Sequence, residues 1–152
     1  MRTKLAIAIV LLIGSIGCGK DKFNTRPTLT FKSVNSTTIT RNNFLTFELG
    51  FTDAEGDIQD TLWVNRRSVT NCNSTNFTEF YIIPPGVIAT NNLKGIIEVC
   101  TFYGSNPPCI PIAGPRDNCA NRNDTAVFRF WMRDRAGNRS DTVSSPPIAI
   151  IR

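Results

Sequence analysis

Between Pro27 and Ile150, apolar side chains recur at every second position in short runs, and no stretch carries convincing helical spacing. A period of two puts successive side chains on opposite faces, so each run buries one face and wets the other. Phe44–Phe51 (FLTFELGF) is the clearest case. Leu45, Phe47, Leu49 and Phe51 fall on one face, taken as the core face, and Phe44, Thr46, Glu48 and Gly50 on the other. Thr125–Arg133 (TAVFRFWMR) sets Phe128, Phe130 and Met132 against Val127, Arg129 and Trp131. Pro27–Val34, Thr61–Val69, Glu79–Ile83 and Gly95–Tyr103 complete the set, with Leu62 and Val64 opposite Trp63 in the third strand and Pro84-Pro85-Gly86 stopping the fourth. The last run, Asp141–Ile150, holds Pro146-Pro147, which cannot donate to a ladder and predicts a sheet edge. Asn, Gly, Pro and Asp separate the runs, as turns require. The chain reads as all-β.

About seven strands in about 130 residues, without repeats or an internal linker, fit a single immunoglobulin-like β-sandwich, with a jelly roll as runner-up. Ahead of it stand two positive charges in Met-Arg-Thr-Lys, an apolar run Leu5–Ile13, and Gly14-Ser15-Ile16-Gly17-Cys18. That sequence has the parts of an export signal, and the apolar run is too short for a membrane span of about 20 residues. The Gly17-Cys18 junction resembles the lipobox of bacterial lipoproteins, although Ser15 stands where that motif usually has leucine. Gly19-Lys20-Asp21-Lys22 is similar to the polar tether after the lipid cysteine in Bacteroidota. The expected organisation is a signal peptide over 1–17, a lipidated Cys18 and tether over 18–26, and the sandwich over 27–152. Cleavage at a nearby small residue, leaving Cys18 an ordinary thiol, is the competing reading. The resemblance implies a protein lipid-anchored in the cell envelope, on the periplasmic or surface-exposed face of the outer membrane.

Loss of Arg2 and Lys4 with the leader takes the balance from 17 basic against 12 acidic residues to 15 against 12. The basic residues are scattered, so no nucleic-acid partner is expected; Arg66-Arg67, the densest pair, reads as a solvated strand face. The chain has no histidine. That excludes Ser-His-Asp and Cys-His nucleophile systems and histidine-based zinc sites. A carboxylate pair could still serve a glycoside hydrolase, but no carboxylate signals that role. Cys72, Cys100, Cys109 and Cys119 lack CxxC spacing and read as two disulfides of an exported protein, with three connectivities open.

Two loops stand out: Thr52-Asp53-Ala54-Glu55-Gly56-Asp57-Ile58-Gln59-Asp60 and Arg133-Asp134-Arg135-Ala136-Gly137-Asn138-Arg139-Ser140-Asp141. In these the chain resembles Ig-like or cadherin-like domains of Bacteroidota lipoproteins, which carry a DxDGD turn early and a DRAGN-S turn late. Here Glu55 replaces the usual aspartate of the first turn. The implied topology brings both loops to one end of the sandwich. Asp53, Glu55, Asp57, Asp60, Asp134, Asn138 and Asp141 would then converge, a set of hard oxygen donors suited to Ca²⁺. The favoured alternative needs no metal: Asp and Asn bond their own backbone in turns, glycines supply positive φ, and Arg133, Arg135 and Arg139 offset the charge. In the same topology Cys72 and Cys119 flank neighbouring strands, so Cys72–Cys119 with Cys100–Cys109 is the first choice of pairing.

The five Asn-x-Ser/Thr sites read as turns, and the Asp-Thr-apolar sites at Asp60, Asp124 and Asp141 resemble Bacteroidota O-glycosylation sites but equally begin strands. Trp63, Trp131, Tyr81 and Tyr103 are expected in or near the core. The functional expectation is a non-enzymatic binding, structural or adhesion module contacting an unknown envelope protein or glycan. A glycan-binding accessory lipoprotein is the alternative, and a carboxylate-based glycoside hydrolase the remote one. The loop Gly104–Asp124 would point outward and contact the partner.

Overall fold

The computed structural model describes residues 23–70, 76–84, 90–104, 109–112 and 122–152. The leader, Cys18, Cys72, Cys119 and most of the Gly104–Asp124 loop lie outside the described residues, and with them the Cys72–Cys119 pairing. The strands are β1 (Thr28–Val34), β2 (Thr38–Ile39), β3 (Phe44–Asp53), β4 (Thr61–Ser68), β5 (Phe77–Ile82), β6 (Leu93–Phe102), β7 (Ile110–Pro111), β8 (Asp124–Arg133), β9 (Val143–Ser144) and β10 (Ile148–Ile150).

One sheet has the order β1-β3-β6-β7, and the other β2-β10-β8-β4-β5 with β9 also on β8. This partition of strands is that of an immunoglobulin-like sandwich. Its inner faces are those the alternation marks: Leu45, Phe47, Leu49 and Phe51 from β3, Leu62 and Val64 from β4, and Phe128, Phe130 and Met132 from β8 are all buried. Phe47 joins the layers, with its ring centroid 4.9 Å from that of Phe128 and 5.1 Å from that of Phe130.

Three expectations change. The last strand is not a sheet edge along its length. Pro146-Pro147 interrupt it, and beyond them the Ala149 and Ile151 N–H groups donate to Thr37 and Ile39 carbonyls at 2.9 and 2.8 Å, so β2 covers β10 in parallel. Arg66 is not solvated. Its place in the alternation is that of Leu62 and Val64, so it faces inward, fully buried, and its guanidinium lies 2.6 Å from the equally buried Asp124 carboxylate. Asp124 also accepts from the Ser68 and Thr70 hydroxyls at 2.7 and 2.5 Å, which lets the interior hold its charge. Trp63 and Trp131 sit half-buried on the outer face, while Tyr103 is buried.

Register fixes the two ends. Asp53 opposes Leu93 and Phe44 opposes Phe102, so the far ends of β3 stand about 30 Å apart. Thr28 pairs with Thr52, which brings the start of the domain to the Asp53 end. At the opposite end Cys100 and Cys109 are disulfide-bonded, as expected, with Cα atoms 4.9 Å apart. Tyr81 reaches across from β5 to donate to the Cys100 carbonyl, and its oxygen accepts from the Ile110 N–H at 3.2 Å.

Arg66 and its neighbour give a contrast in unfolding free energy. Arg66→Ala strands a buried carboxylate and should cost about 3–5 kcal/mol. Arg67→Ala, on the exposed side, should change stability by no more than about 0.5 kcal/mol in urea denaturation of the purified protein.

Candidate functional site

Asp53 ends β3, and its Oδ2 accepts the N–H groups of Gly56 and Asp57 at 2.6 and 3.2 Å. That closes the first acidic loop into a tight turn, which Gly56 completes at φ 72°. The second loop repeats the device. Asp134 Oδ1 accepts the Asn138 N–H at 2.7 Å and Oδ2 the Asn138 amide at 2.9 Å, with Gly137 at φ 90°. The two loops meet directly, because the Arg135 N–H donates to the Asp57 carbonyl at 2.9 Å.

Two further segments close on this end. The Asn92 N–H donates to the Ala54 carbonyl at 2.8 Å, and the Ala54 N–H to the Asn24 carbonyl at 3.1 Å. Arg26 pairs with Asp141 at 2.8 Å and donates through Nε to the Arg139 carbonyl, while Asn138 donates to the Thr25 carbonyl at 3.4 Å. The segment leading into β1 is therefore bound to both acidic loops.

The seven candidate oxygen-ligand residues do not all gather. Asp53, Glu55 and Asp57 each place a carboxylate oxygen within 4.8 Å of the others. Asp134 is buried beside them, close enough to repel Asp53, but both its oxygens serve Asn138. Asp60 turns away to Arg133 at 2.7 Å, a bond that holds its carboxyl below the usual carboxylate range. Asp141 is held by Arg26, and Asn138 directs its amide nitrogen to Asp134 and Thr25. Sequence reasoning misses Arg26, since a polar tether gives no sign of the partners it will meet.

The turn reading accounts for one oxygen of Asp53 and leaves the other. Asp53 Oδ1 and Asp57 Oδ1 are both buried without a hydrogen-bond donor. Burial raises the Asp53 carboxyl, the Gly56 and Asp57 N–H groups oppose that rise, and repulsion from Asp57 and Asp134 adds to it.

A second feature covers the outer face of β5, β4 and β8. Register aligns Phe80, Trp63 and Trp131 in one row. The indole planes lie within 5° of parallel with centroids 6.1 Å apart. The Arg133 guanidinium stands 5.4 Å from the Trp63 ring centroid and that of Arg139 5.0 Å from Trp131. Phe80 and Ile82 beside them are 59% and 72% exposed.

No protein-family model matches the chain, and no curated protein matches it in sequence. Among solved structures it is similar to the sporulation control protein Spo0M of Bacillus subtilis, at a TM-score of 0.42 and 4% identity. The match covers 84% of this chain, which spans 50% of that protein's length.

The two loop glycines should differ in their response to alanine. At Gly137 an added Cβ would meet nothing within 4 Å, so only the left-handed backbone penalty of about 1–2 kcal/mol applies. At Gly56 a Cβ would stand 2.2 Å from the Thr90 carbonyl oxygen, so Gly56→Ala should lose clearly more in thermal or urea unfolding.

Proposed function

We propose that this chain is a lipid-anchored cell-envelope protein whose Ig-like domain is a non-catalytic binding module. The observation that carries this reading is the docking of residues 24–26 on the two acidic loops. If Cys18 bears lipid, only residues 19–23 separate it from that dock, a reach of at most about 22 Å. The acidic end then faces the membrane, and the Cys100–Cys109 end and the sheet faces point away.

A binding role draws on the outer face of β5, β4 and β8. Exposed Phe80 and Ile82 lie there among Arg67, Arg129, Arg133 and Arg139, with Asp60 at the rim. Aromatic and arginine side chains are the types that dominate binding surfaces. The chemistry suits an acidic partner, protein or glycan. A flat sugar-stacking platform is a poorer fit, because guanidinium groups already stand over both indoles. Among the described residues, two of the surface depressions have different linings. One, about 550 Å³ over Gly50 and Gly95, is lined by Lys32 and Lys94 and no carboxylate, and the other holds only Asp141, tied to Arg26. Neither offers the facing carboxylates that glycoside hydrolysis needs.

Metabolic labelling with radioactive palmitate, followed by membrane fractionation, tests the anchor. The wild-type chain should carry label and stay with membranes, and Cys18→Ser should lose both. An unlabelled wild-type chain would contradict the reading.

A further inference from the structure

We propose that the outer face of β5, β4 and β8 binds an acidic polysaccharide, with a uronic-acid ring on Phe80 and carboxylates on Arg133 and Arg139. The inference rests on the reading of this face as a binding surface and names what it binds; it does not depend on the lipid anchor. Alternation assigns the face. One row across the three strands is Phe80, Trp63 and Trp131, and the row beside it runs from Ile82 in β5 to Arg133 in β8. Arg129 follows two residues from Trp131 along β8, and Arg67 lies opposite Val127. Arginines therefore recur along the strands over about 20 Å. Among the described residues, Asp60 at the rim is the one carboxylate paired with them.

The two cations over the aromatic row are positioned by the protein itself. Arg133 stands 5.4 Å from the Trp63 centroid and is held by Asp60 through Nε. Arg139 stands 5.0 Å from the Trp131 centroid and donates through Nη2 to the Thr142 hydroxyl at 3.4 Å. Both terminal nitrogens of Arg133 and Nη1 of Arg139 meet no acceptor among the described residues. A guanidinium already fixed over a ring loses little freedom on meeting a carboxylate, and its planar fork matches that group with two parallel bonds.

The apolar part of the face decides what carries the carboxylates. Both indoles lie beneath guanidinium groups, so neither offers a bare ring to a neutral sugar. Phe80 ends the same row 59% exposed, and Ile82 beside it, 72% exposed, widens that apolar floor. Among the described residues no cation stands over Phe80. Neighbouring strands lie about 4.8 Å apart, close to the width of a pyranose ring. A uronic-acid ring laid with its C–H face on Phe80 thus brings its carboxylate above Trp63, where the Arg133 guanidinium stands. The next sugar extends toward Arg139. An acidic peptide could also meet the arginines, but its flexible acidic side chains lose more freedom on binding and bring no flat apolar face to Phe80.

The test titrates the full chain in detergent by calorimetry at about 0.15 M salt, with oligogalacturonate, neutral dextran and poly-glutamate as separate probes. Oligogalacturonate should bind saturably and dextran not at all, with poly-glutamate of equal charge at least about tenfold weaker. Arg133→Lys keeps the charge but not the fork, and Phe80→Ala leaves the charge unchanged; each should weaken oligogalacturonate binding about fivefold. Arg41→Gln, exposed at the opposite end, should bind as wild type. Melting temperatures report whether the variants fold, and Ile82→Ser tests the apolar floor should Phe80→Ala not fold. No binding of any probe would overturn the proposal together with the binding-face reading. Poly-glutamate binding as tight as that of the oligosaccharide, and lost in Arg133→Gln and Arg139→Gln, would keep the face and overturn the sugar. Undiminished oligogalacturonate binding by folded Phe80→Ala would overturn the sugar as well.

Discussion

The Phe47 ring, lodged between Phe128 and Phe130, joins the two sheets, and the rest of the architecture follows from the faces it sets inward. Once alternate residues of β3 and β8 are committed to the interior, a one-residue slip in either strand would expose its whole apolar set. Register is thereby fixed, and with it the ends of the sandwich. Asp53 falls opposite Leu93, Thr28 opposite Thr52 and Thr61 opposite Arg133. The two acidic loops, the Asn92 turn and the start of the domain have no choice but to share one end.

Charge is placed against this apolar frame in two ways. Arg66 and Asp124 are buried together between the sheets, and the Ser68 and Thr70 hydroxyls complete the carboxylate's bonds. At the acidic end the carboxylates divide into those matched by arginine and those that are not. Asp60 has Arg133 and Asp141 has Arg26, whereas Asp53 and Asp57 each keep one oxygen that the protein leaves without a donor. That difference separates acids neutralised by arginine from an acid such as Asp53, held only by backbone N–H groups of its own turn. Arginine is also diverted to the indole rings, so Arg139 stands over Trp131 and leaves the acids of its own loop to others.

Much of this was legible in the sequence, wherever local pattern decided the outcome. The faces of β3 and β8 and the all-β class follow from alternation and turn residues, whereas the adjacency of the two acidic loops and the Cys100–Cys109 bridge, one of three open connectivities, were expected only through the implied Ig-like topology. Partnerships across long separations were not legible. Arg66 occupies an inward position by alternation, but its acceptor lies 58 residues away, and without that acceptor a solvated arginine is the sensible reading. Arg26 and Asp141, 115 residues apart, pose the same difficulty. Two-residue strands such as β2 and β7 are too short to show a period, so β2 covering β10 was invisible, and Pro146-Pro147 pointed to an edge. Trp63 and Trp131 misled because an aromatic residue fits either face of a strand. The acidic loops suggested seven residues converging on one spot, and the geometry brings only the carboxylates of Asp53, Glu55 and Asp57 within 4.8 Å of one another.

Polarity is the central consequence of the proposed anchor: with lipid on Cys18, the end of the sandwich where residues 24–26 are bound and the acids gather would stand against the membrane. Energy transfer from a fluorophore at Ala136, in the second acidic loop, or at Arg41, at the opposite end, to acceptors on lipid headgroups measures this in vesicles carrying the lipidated protein. Both positions are exposed, and the ends of β3 lie about 30 Å apart. Transfer should be strong from position 136 and weak from position 41. Equal transfer, or stronger transfer from position 41, would contradict that polarity.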